Sequence, residues 1–138
     1  MKDKYAKALM DMACRFGETS VATRLKVGCL IYKNDSIIAL GVNGQPPGWH
    51  SEVCEGGDGQ TLSTVRHAEH AALEKLYLST ETSEGAMMFV SHMPCLNCCL
   101  KIVAAKIQKV YYRYDYRCDE GVKYLRRQGI DVFKMEER

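Results

Sequence analysis

The sequence has no large excess of charge of one sign, because 19 Lys and Arg stand against 17 Asp and Glu, a formal net charge of +2. So small a balance argues against the broad basic surface of a bulk nucleic-acid binder. The sequence also has no apolar run of membrane-spanning length. Its first four residues, Met-Lys-Asp-Lys, precede an amphipathic stretch and not the apolar segment of a secretory signal. We therefore expect a cytoplasmic protein with no membrane partner.

A disulfide framework is not expected either. The chain has seven cysteines, an odd number that cannot pair completely. Without a secretory signal, such cysteines indicate free thiols or metal ligands in a reducing compartment. A hydrophobic fraction of 46% and a charged fraction of 26% are those of an ordinary globular protein. At 138 residues the chain suits one domain, and we predict a single domain over residues 1–138.

The spacing of apolar residues predicts alternating helices and strands. Helices are predicted over residues 2–16, 64–78, 96–106 and 119–128, and strands over residues 26–32, 37–42, 87–91, 109–114 and 130–134. A helix, a hairpin and repeated helix–strand units predict an α/β fold of three layers, with a five-stranded mixed sheet between helices and the later strands parallel. Residues 44–63 are rich in Gly and Pro and long for a loop, which predicts a mobile, functional segment.

Two short motifs place metal-binding side chains at the starts of predicted helices. One is His67-Ala68-Glu69, and the other is Pro94-Cys95-Leu96-Asn97-Cys98. His67, Cys95 and Cys98 supply three ligands, the number that a catalytic zinc uses when water takes its fourth position. Cys95 and Cys98 fall on one side of a helical turn, and a helix N-terminus favours thiolates. The motifs predict one catalytic zinc ion per chain.

Glu69 distinguishes a catalytic zinc site from a structural one. It lies two residues after His67, so it can face a metal-bound water without ligating the metal. Zinc lowers the pKa of such a water to about 7, which makes hydroxide available as the nucleophile. The order H-x-E…P-C-x-x-C matches the signature of zinc deaminases, in which the glutamate shuttles protons. A closed zinc knuckle is the alternative, but it would want a fourth protein ligand and has no need for Glu69.

Around these motifs the chain resembles the cytidine deaminase superfamily, and within it the deoxycytidylate deaminases, over about residues 22–134. The order of the matching segments makes the resemblance specific. They are Arg24-Leu25-Lys26-Val27-Gly28, the loop of residues 41–48, Glu84-Gly85-Ala86, Tyr114-Asp115-Tyr116-Arg117, and then Gly121, Leu125 and residues 129–132. The resemblance implies hydrolytic deamination of dCMP, or of a 5-substituted dCMP, to the uracil nucleotide and ammonia, a reaction that feeds thymidylate synthesis.

The resemblance also implies roles for residues outside the zinc motifs. Asn43 would hydrogen-bond the sugar or the base, and an Asn-Gly turn is the alternative. Arg24, Tyr116 and Arg117 would hold the 5′-phosphate, a task that suits their chemistry. For the two arginines the alternative is a surface ion pair, and for Tyr116 it is a packed aromatic ring.

Further expectations concern the pocket, the assembly and its regulation. Ala68 and Pro94, which lie inside the two motifs, are expected among the substrate-binding residues. His92, just before Pro94, is either a loop residue or part of the pocket. The resemblance implies a homo-oligomer, with a hexamer favoured, and allosteric dCTP and dTTP, with Mg²⁺ as their companion ion.

Alternatives remain for the substrate and for a second metal. Ala71 stands where the family usually has asparagine, and an alanine-rich helix also occurs in base and transfer-RNA deaminases. A deaminase of a nucleoside, a free base or tRNA adenosine is therefore the alternative, and a non-catalytic zinc-binding interaction module is a remoter one. His50 and Cys54 would contribute to a second metal site, although two ligands are insufficient. An exposed pair in a loop is the other interpretation.

Overall fold

The computed structural model describes residues 1–137, so Arg138, the last residue of the predicted domain, lies outside the described residues. The helices are α1 (Asp3–Gly17), α2 (Ala68–Glu74), α3 (Leu96–Ala104) and α4 (Glu120–Arg127). The strands are β1 (Gly28–Lys33), β2 (Ser36–Val42), β3 (Met87–His92), β4 (Lys109–Tyr114) and β5 (Asp131–Lys134).

The strands form one five-stranded sheet in the order β2-β1-β3-β4-β5. Strand β1 is antiparallel to both of its neighbours, whereas β3, β4 and β5 run parallel to one another. The hairpin between β1 and β2 turns at Asn34 and Asp35, whose φ values of 50° and 61° are the positive angles that a two-residue hairpin turn requires. The predicted mixed sheet with parallel later strands is confirmed.

Helices cover both faces of the sheet, which gives the predicted three layers. On one face α1 presents apolar residues at helical spacing (Ala6, Leu9, Met10 and Ala13) to Leu30 and Phe89 of the sheet. On the other face the remaining helices bury a larger core. Its members include Ala72 of α2, Ile102 of α3 and Leu125 of α4, packed on Met88, Val90 and Val110. The sheet is therefore buried on both sides, as expected for parallel strands joined by helices.

The predicted start of the second helix is wrong. A helix was expected from residue 64, but α2 begins at Ala68. Arg66 instead pairs with Gly44, because its N–H donates to the Gly44 carbonyl at 2.8 Å and its carbonyl accepts from the Gly44 N–H at 3.0 Å. These bonds keep the backbone extended up to His67, whose φ and ψ are −69° and 156°. The pairing with the preceding loop outweighs the local helical preference.

The segment of residues 43–67 joins β2 to α2 and carries isolated bridges in place of a helix or a longer strand. Besides Gly44 and Arg66, Glu55 pairs with Thr61 in an antiparallel bridge. The mobility expected for residues 44–63 stays a prediction. In the described part of the chain, no helix combines the length and the apolar character needed to cross a bilayer.

Candidate active site

The zinc motifs meet at one edge of the sheet. Strands β2 and β3 both end at this edge, and they lead to Asn43 and to the Met93–Pro94–Cys95 turn. His67 and Cys95 are the N-cap residues of α2 and α3, with extended backbones that turn their side chains out of the helices. The carboxyl ends of strands followed by helix N-termini are the usual place for a ligand in an open α/β sheet.

His67, Cys95 and Cys98 come together as the sequence predicts. His67 Nδ1 lies 3.2 Å from Cys98 Sγ and 3.6 Å from Cys95 Sγ. The three donor atoms all lie within 4.8 Å of one another. In a tetrahedral site with bonds of about 2.0–2.3 Å, ligand atoms stand roughly 3.3–3.8 Å apart. One imidazole and two thiolates at this spacing therefore fit a zinc ion with one position left for water.

The two thiols of this group have opposite electrostatic environments. The pKa of Cys95 is lowered to about 3, because the Cys98 thiol and the His67 ring donate hydrogen bonds to its thiolate. The pKa of Cys98 is raised, because its proton is held in the hydrogen bond to Cys95 and because it is buried. The hydrogen bonds within the cluster thus stabilise a thiolate at Cys95 even without a bound cation.

Glu69 lies in the first turn of α2, next to the cluster. Its side chain is buried, with 4% of the residue exposed. Burial raises the pKa of its carboxyl group, although the His67 charge opposes the shift. A buried carboxyl group with a raised pKa is the kind of residue that accepts and returns protons during catalysis.

Two glycines let the surrounding elements approach the metal-binding turns closely. A Cβ added to Gly121 of α4 would lie 2.9 Å from both the Pro94 carbonyl oxygen and the Cys95 carbonyl carbon. A Cβ added to Gly41 of β2 would lie 2.5 Å from the Ala68 carbonyl oxygen. Backbone is therefore packed directly against both motifs, which limits the movement of the ligands.

One cavity joins the zinc motifs to several of the predicted substrate residues. It is lined by His67, Ala68, Glu69 and Cys95, and also by Arg24, Asn43 and Tyr116. Pro94, which was also predicted to bind the substrate, is not among the residues that line this cavity; it is fully buried, and its carbonyl oxygen accepts a hydrogen bond from Cys99 Sγ at 3.8 Å. Cys99 accordingly points away from the ligand cluster.

Asn43 holds the backbone at the entrance to β1. Its Oδ1 accepts a hydrogen bond from the Val27 N–H at 2.9 Å, and its Nδ2 donates to the Leu25 carbonyl at 2.7 Å. Because an amide group carries two N–H donors, one of them remains for a ligand in the cavity. Asn43 therefore shapes the wall of the cavity, and its contact with the sugar or the base stays a prediction.

The candidate phosphate residues differ in their positions. Arg24 lines the cavity and its Nη1 lies 3.5 Å from Gln60 Oε1. Tyr116 also lines the cavity, and the guanidinium carbon of Arg117 lies 5.2 Å from the centre of its ring. Arg117 itself is exposed and is not among the residues that line the cavity. Of the two candidate arginines, Arg24 is therefore the one in the cavity wall.

Further residues line the cavity, and of the two interpretations of His92 the structure supports the one that makes it part of the pocket. His92 lines the cavity, and its Nδ1 lies 2.8 Å from Ser91 Oγ, which accepts a hydrogen bond from the Gly28 N–H at 3.0 Å. Burial lowers the pKa of His92. Glu55 and Thr61 also line the cavity although they lie in the loop of residues 44–63. Loop residues carry no periodic signal, so the sequence could not place them.

His50 and Cys54 do not form a second metal cluster. His50 is exposed and its ring lies 5.0 Å from that of Trp49, whereas Cys54 is buried with its thiol 3.4 Å from the Glu52 carbonyl oxygen. Within residues 1–137, the group of three side chains whose possible metal-ligand atoms lie close together is His67, Cys95 and Cys98. His50 and Cys54 belong to no such group in this part of the chain.

Residues 3–114 match the family described as the cytidine and deoxycytidylate deaminase zinc-binding region. This match covers most of the chain and includes both zinc motifs. The chain belongs to this deaminase family. Family membership accounts for the fold and for the zinc-binding character of the His67, Cys95 and Cys98 cluster.

Relatives within the deaminase family differ in length. The chain is 42% identical to the dCMP deaminase of the cyanophage S-TIM5, whose crystal structure contains dCMP and dUMP. The two structures superpose with a TM-score of 0.95, and the match covers 98% of this chain and 99% of the cyanophage chain. It is 31% identical to the deoxycytidylate deaminase of Saccharomyces cerevisiae over 96% of this chain but 45% of the yeast protein. It is 34% identical to ComE operon protein 2 of Bacillus subtilis over 85% of this chain and 64% of that protein. The chain therefore spans less than two thirds of these two relatives.

Proposed function

We propose that this deaminase hydrolyses dCMP, or a 5-substituted dCMP, to the corresponding uracil nucleotide and ammonia. One observation carries the proposal: a single cavity is lined both by Glu69 with the ligands His67 and Cys95 and by Arg24 with Tyr116. The first group suits deamination and the second suits a phosphate. The likeness to the cyanophage dCMP deaminase supports the same substrate. The dUMP formed would feed thymidylate synthesis.

The proposed reaction replaces an amino group by an oxygen. The oxygen of a water molecule bonds to the ring carbon that bears the amino group, and the bond from that carbon to the amino nitrogen breaks. Glu69 takes a proton from the water and delivers it to the neighbouring ring nitrogen, and a second proton transfer lets ammonia leave. His67, Cys95 and Cys98 would hold the zinc, which would lower the pKa of the attacking water. The burial of Glu69 keeps its protons from exchanging freely with solvent.

Recognition of the nucleotide would depend on the cavity residues outside the zinc motifs. The Arg24 guanidinium offers planar paired donors to a phosphate, and the Tyr116 hydroxyl offers another. Arg117 would stabilise the Tyr116 ring through the contact of its positive charge with the ring. The free N–H of Asn43 would serve the sugar or the base. Ala68 also lines the cavity, and its small side chain would leave room there for the base.

Ammonia release by zinc-replete protein tests the proposed function. The substrates would be dCMP, 5-methyl-dCMP, deoxycytidine, cytosine and adenosine, with Glu69→Ala as the blank. We expect turnover of dCMP or its 5-methyl form well above that of deoxycytidine and the free base. If dCMP is inert while a nucleoside, base or adenosine reacts, the substrate assignment is wrong and the alternative deaminase function replaces it. If no substrate releases ammonia, a non-catalytic zinc-binding module becomes the better account.

Replacing Arg24, the arginine that lines the cavity, should weaken the binding of the nucleotide more than that of the nucleoside. We expect Arg24→Ala to raise the KM for dCMP by roughly 10- to 100-fold, since a hydrogen bond to a charged group contributes about 1.5–3 kcal/mol. The KM for deoxycytidine, which has no phosphate, should change little. Arg117→Ala should raise the KM for dCMP less, because its guanidinium contacts the Tyr116 ring. Steady-state kinetics on both substrates measure this, and equal losses on dCMP and deoxycytidine would contradict the phosphate assignment.

Assembly, regulation and location remain part of the same proposal. A homo-oligomer, with a hexamer favoured, would place active sites near subunit interfaces. Regulation by dCTP and dTTP, accompanied by Mg²⁺, and a cytoplasmic location stay predictions from the sequence.

A further inference from the structure

Glu55 joins two segments that are far apart in the sequence. Its carboxylate accepts hydrogen bonds from the Thr23 N–H, at 3.2 Å to each oxygen, and from the Thr23 hydroxyl at 3.0 Å. It also accepts one from the Arg24 N–H at 3.2 Å. The segment that donates these bonds connects α1 to β1, outside the sheet. A single side chain from the long loop thus satisfies two backbone donors beside the substrate cavity.

The position of Glu55 is itself determined by a short hairpin. Glu55 pairs with Thr61, while the Gly56 N–H donates to the Gln60 carbonyl at 2.9 Å and the Leu62 N–H donates to the Cys54 carbonyl at 2.8 Å. We call residues 54–62 the Glu55 hairpin. Three of its residues (Cys54, Glu55 and Thr61) line the cavity. The hairpin therefore forms one wall of the proposed substrate site.

The charge of Glu55 needs to be satisfied if the cavity is to accept a phosphate. An unpaired carboxylate on the wall would repel the nucleotide, whereas one that accepts hydrogen bonds from three groups is stabilised in place. Desolvation opposes ionisation, but the hydrogen bonds from the Thr23 and Arg24 backbone lower the pKa of Glu55 overall. The carboxylate is therefore charged and engaged with the 23–24 backbone.

We propose that Glu55 is a positioning residue for nucleotide binding, which clamps the Glu55 hairpin to the Thr23–Arg24 backbone and so orients the Arg24 side chain in the cavity. The inference rests on the proposed function, because Arg24 is assigned there to the phosphate. A second contact between the Glu55 hairpin and this segment runs from Arg24 Nη1 to Gln60 Oε1, at the long distance of 3.5 Å. The Glu55 bonds are shorter and more numerous, so they carry the attachment.

The N–H and hydroxyl groups that donate hydrogen bonds to Glu55 could equally donate to a phosphate oxygen. A second arrangement therefore competes with the clamp. In that arrangement Glu55 is a placeholder, and the nucleotide phosphate displaces it from Thr23 and Arg24. The two arrangements predict opposite effects of removing the carboxylate. A clamp makes binding weaker when it is lost, whereas a placeholder makes binding stronger when it is lost.

Kinetics of Glu55→Ala and Glu55→Gln, with Glu52→Ala as the matched control, distinguish them. Glu52 lies in the same loop and is exposed, so its substitution removes the same charge without touching the clamp. We expect Glu55→Ala to raise the KM for dCMP roughly tenfold, with kcat within about twofold of the wild type. Glu55→Gln should recover part of the loss, because its amide oxygen still accepts a hydrogen bond. The KM for deoxycytidine should rise less than that for dCMP.

Several results would overturn the clamp. A lower KM in Glu55→Ala would identify a placeholder. A loss confined to kcat, or an equal rise in KM in Glu52→Ala, would also reject a positioning role for Glu55.

Amide hydrogen exchange provides a readout that does not depend on activity. Loss of the clamp should speed exchange at the Thr23 and Arg24 amides at least severalfold in Glu55→Ala, but not in Glu52→Ala. Unchanged exchange at both amides rejects the clamp whatever the substrate is. If the wild type releases no ammonia from dCMP, the proposed function fails by itself, and the exchange measurement still decides whether Glu55 holds the two segments together.

Discussion

Replacing Glu69 by glutamine should lower kcat for dCMP by roughly 10³-fold or more while zinc stays bound. Proton transfer by a positioned side chain contributes about 10²- to 10⁴-fold, and Glu69 is proposed to make more than one transfer in each turnover. Glutamine has nearly the same shape as glutamate, so the packing around this buried position of α2 should be kept. Its amide group, however, cannot take a proton from water. Ammonia release and zinc content, measured on the same preparation, test this expectation.

Glu74→Gln is the matched control for Glu69→Gln. Glu74 lies on the same helix, but its Oε2 accepts a hydrogen bond from Arg66 Nε at 2.6 Å and lies 3.5 Å from His70 Nε2, and Glu74 does not line the cavity. We expect its kcat to stay within about twofold of the wild type. If Glu69→Gln kept a tenth of the wild-type kcat, the proton-shuttle role would be wrong. If it lost zinc, the missing metal would explain the lost activity instead.

Replacing Cys98 by alanine should remove the zinc and the activity together. Cys98 Sγ lies 3.2 Å from His67 Nδ1, so its loss leaves two protein ligands where a catalytic zinc site uses three. We expect the zinc content to fall from about one ion per chain to a small fraction of that, and kcat to fall to the level of the blank. Metal analysis after desalting, together with ammonia release, measures both effects.

The adjacent Cys99 is the matched control for Cys98. It is also buried, but its thiol points to the Pro94 carbonyl oxygen, and burial raises its pKa to about 12, so it stays protonated. Cys99→Ala should therefore keep its zinc and most of its activity, at the cost of some stability from the small cavity it leaves. Zinc loss in Cys99→Ala equal to that in Cys98→Ala would mean that the ligand assignment is wrong.

The zinc cluster was predictable from the sequence because its geometry is mostly local. Cys95 is the N-cap residue of α3 and Cys98 lies in its first turn, so their relative position follows from α3 alone. Glu69 lies two residues after His67 and follows it into the first turn of α2 in the same way. The meeting of α2 with α3 was predicted from the match of the two motifs to the zinc-deaminase signature and not from local spacing.

The start of α2 was not predictable, because its cause lies in a distant contact. Residues 64–67 look compatible with a helix, but the pairing of Arg66 with Gly44 holds them extended. That pairing also decides where His67 lies, since an N-cap residue turns its side chain differently from one inside a helix. Local propensity is a weak guide wherever backbone bonds to another segment compete with it.

The residues proposed to bind the phosphate show the same difference between what the sequence indicates and what the fold decides. The sequence indicated Arg24, Tyr116 and Arg117 as a group, but only the fold separates Arg24 and Tyr116, which line the cavity, from Arg117, which packs on the ring of Tyr116. Glu55 had no signal at all, because its partners, Thr23 and Arg24, lie about thirty residues earlier in the chain.

The sequence by itself determined the α/β class, through the order of its periodic segments. It also indicated His67, Cys95, Cys98 and the proposed proton carrier Glu69, because each of the two motifs that hold them lies within about one turn of helix. The tertiary structure alone decided which residues form the wall of the cavity, where α2 begins, and how the 54–62 hairpin is attached beside Arg24. Those features depend on hydrogen bonds between segments that are distant in the chain, and no local pattern of residues encodes such contacts.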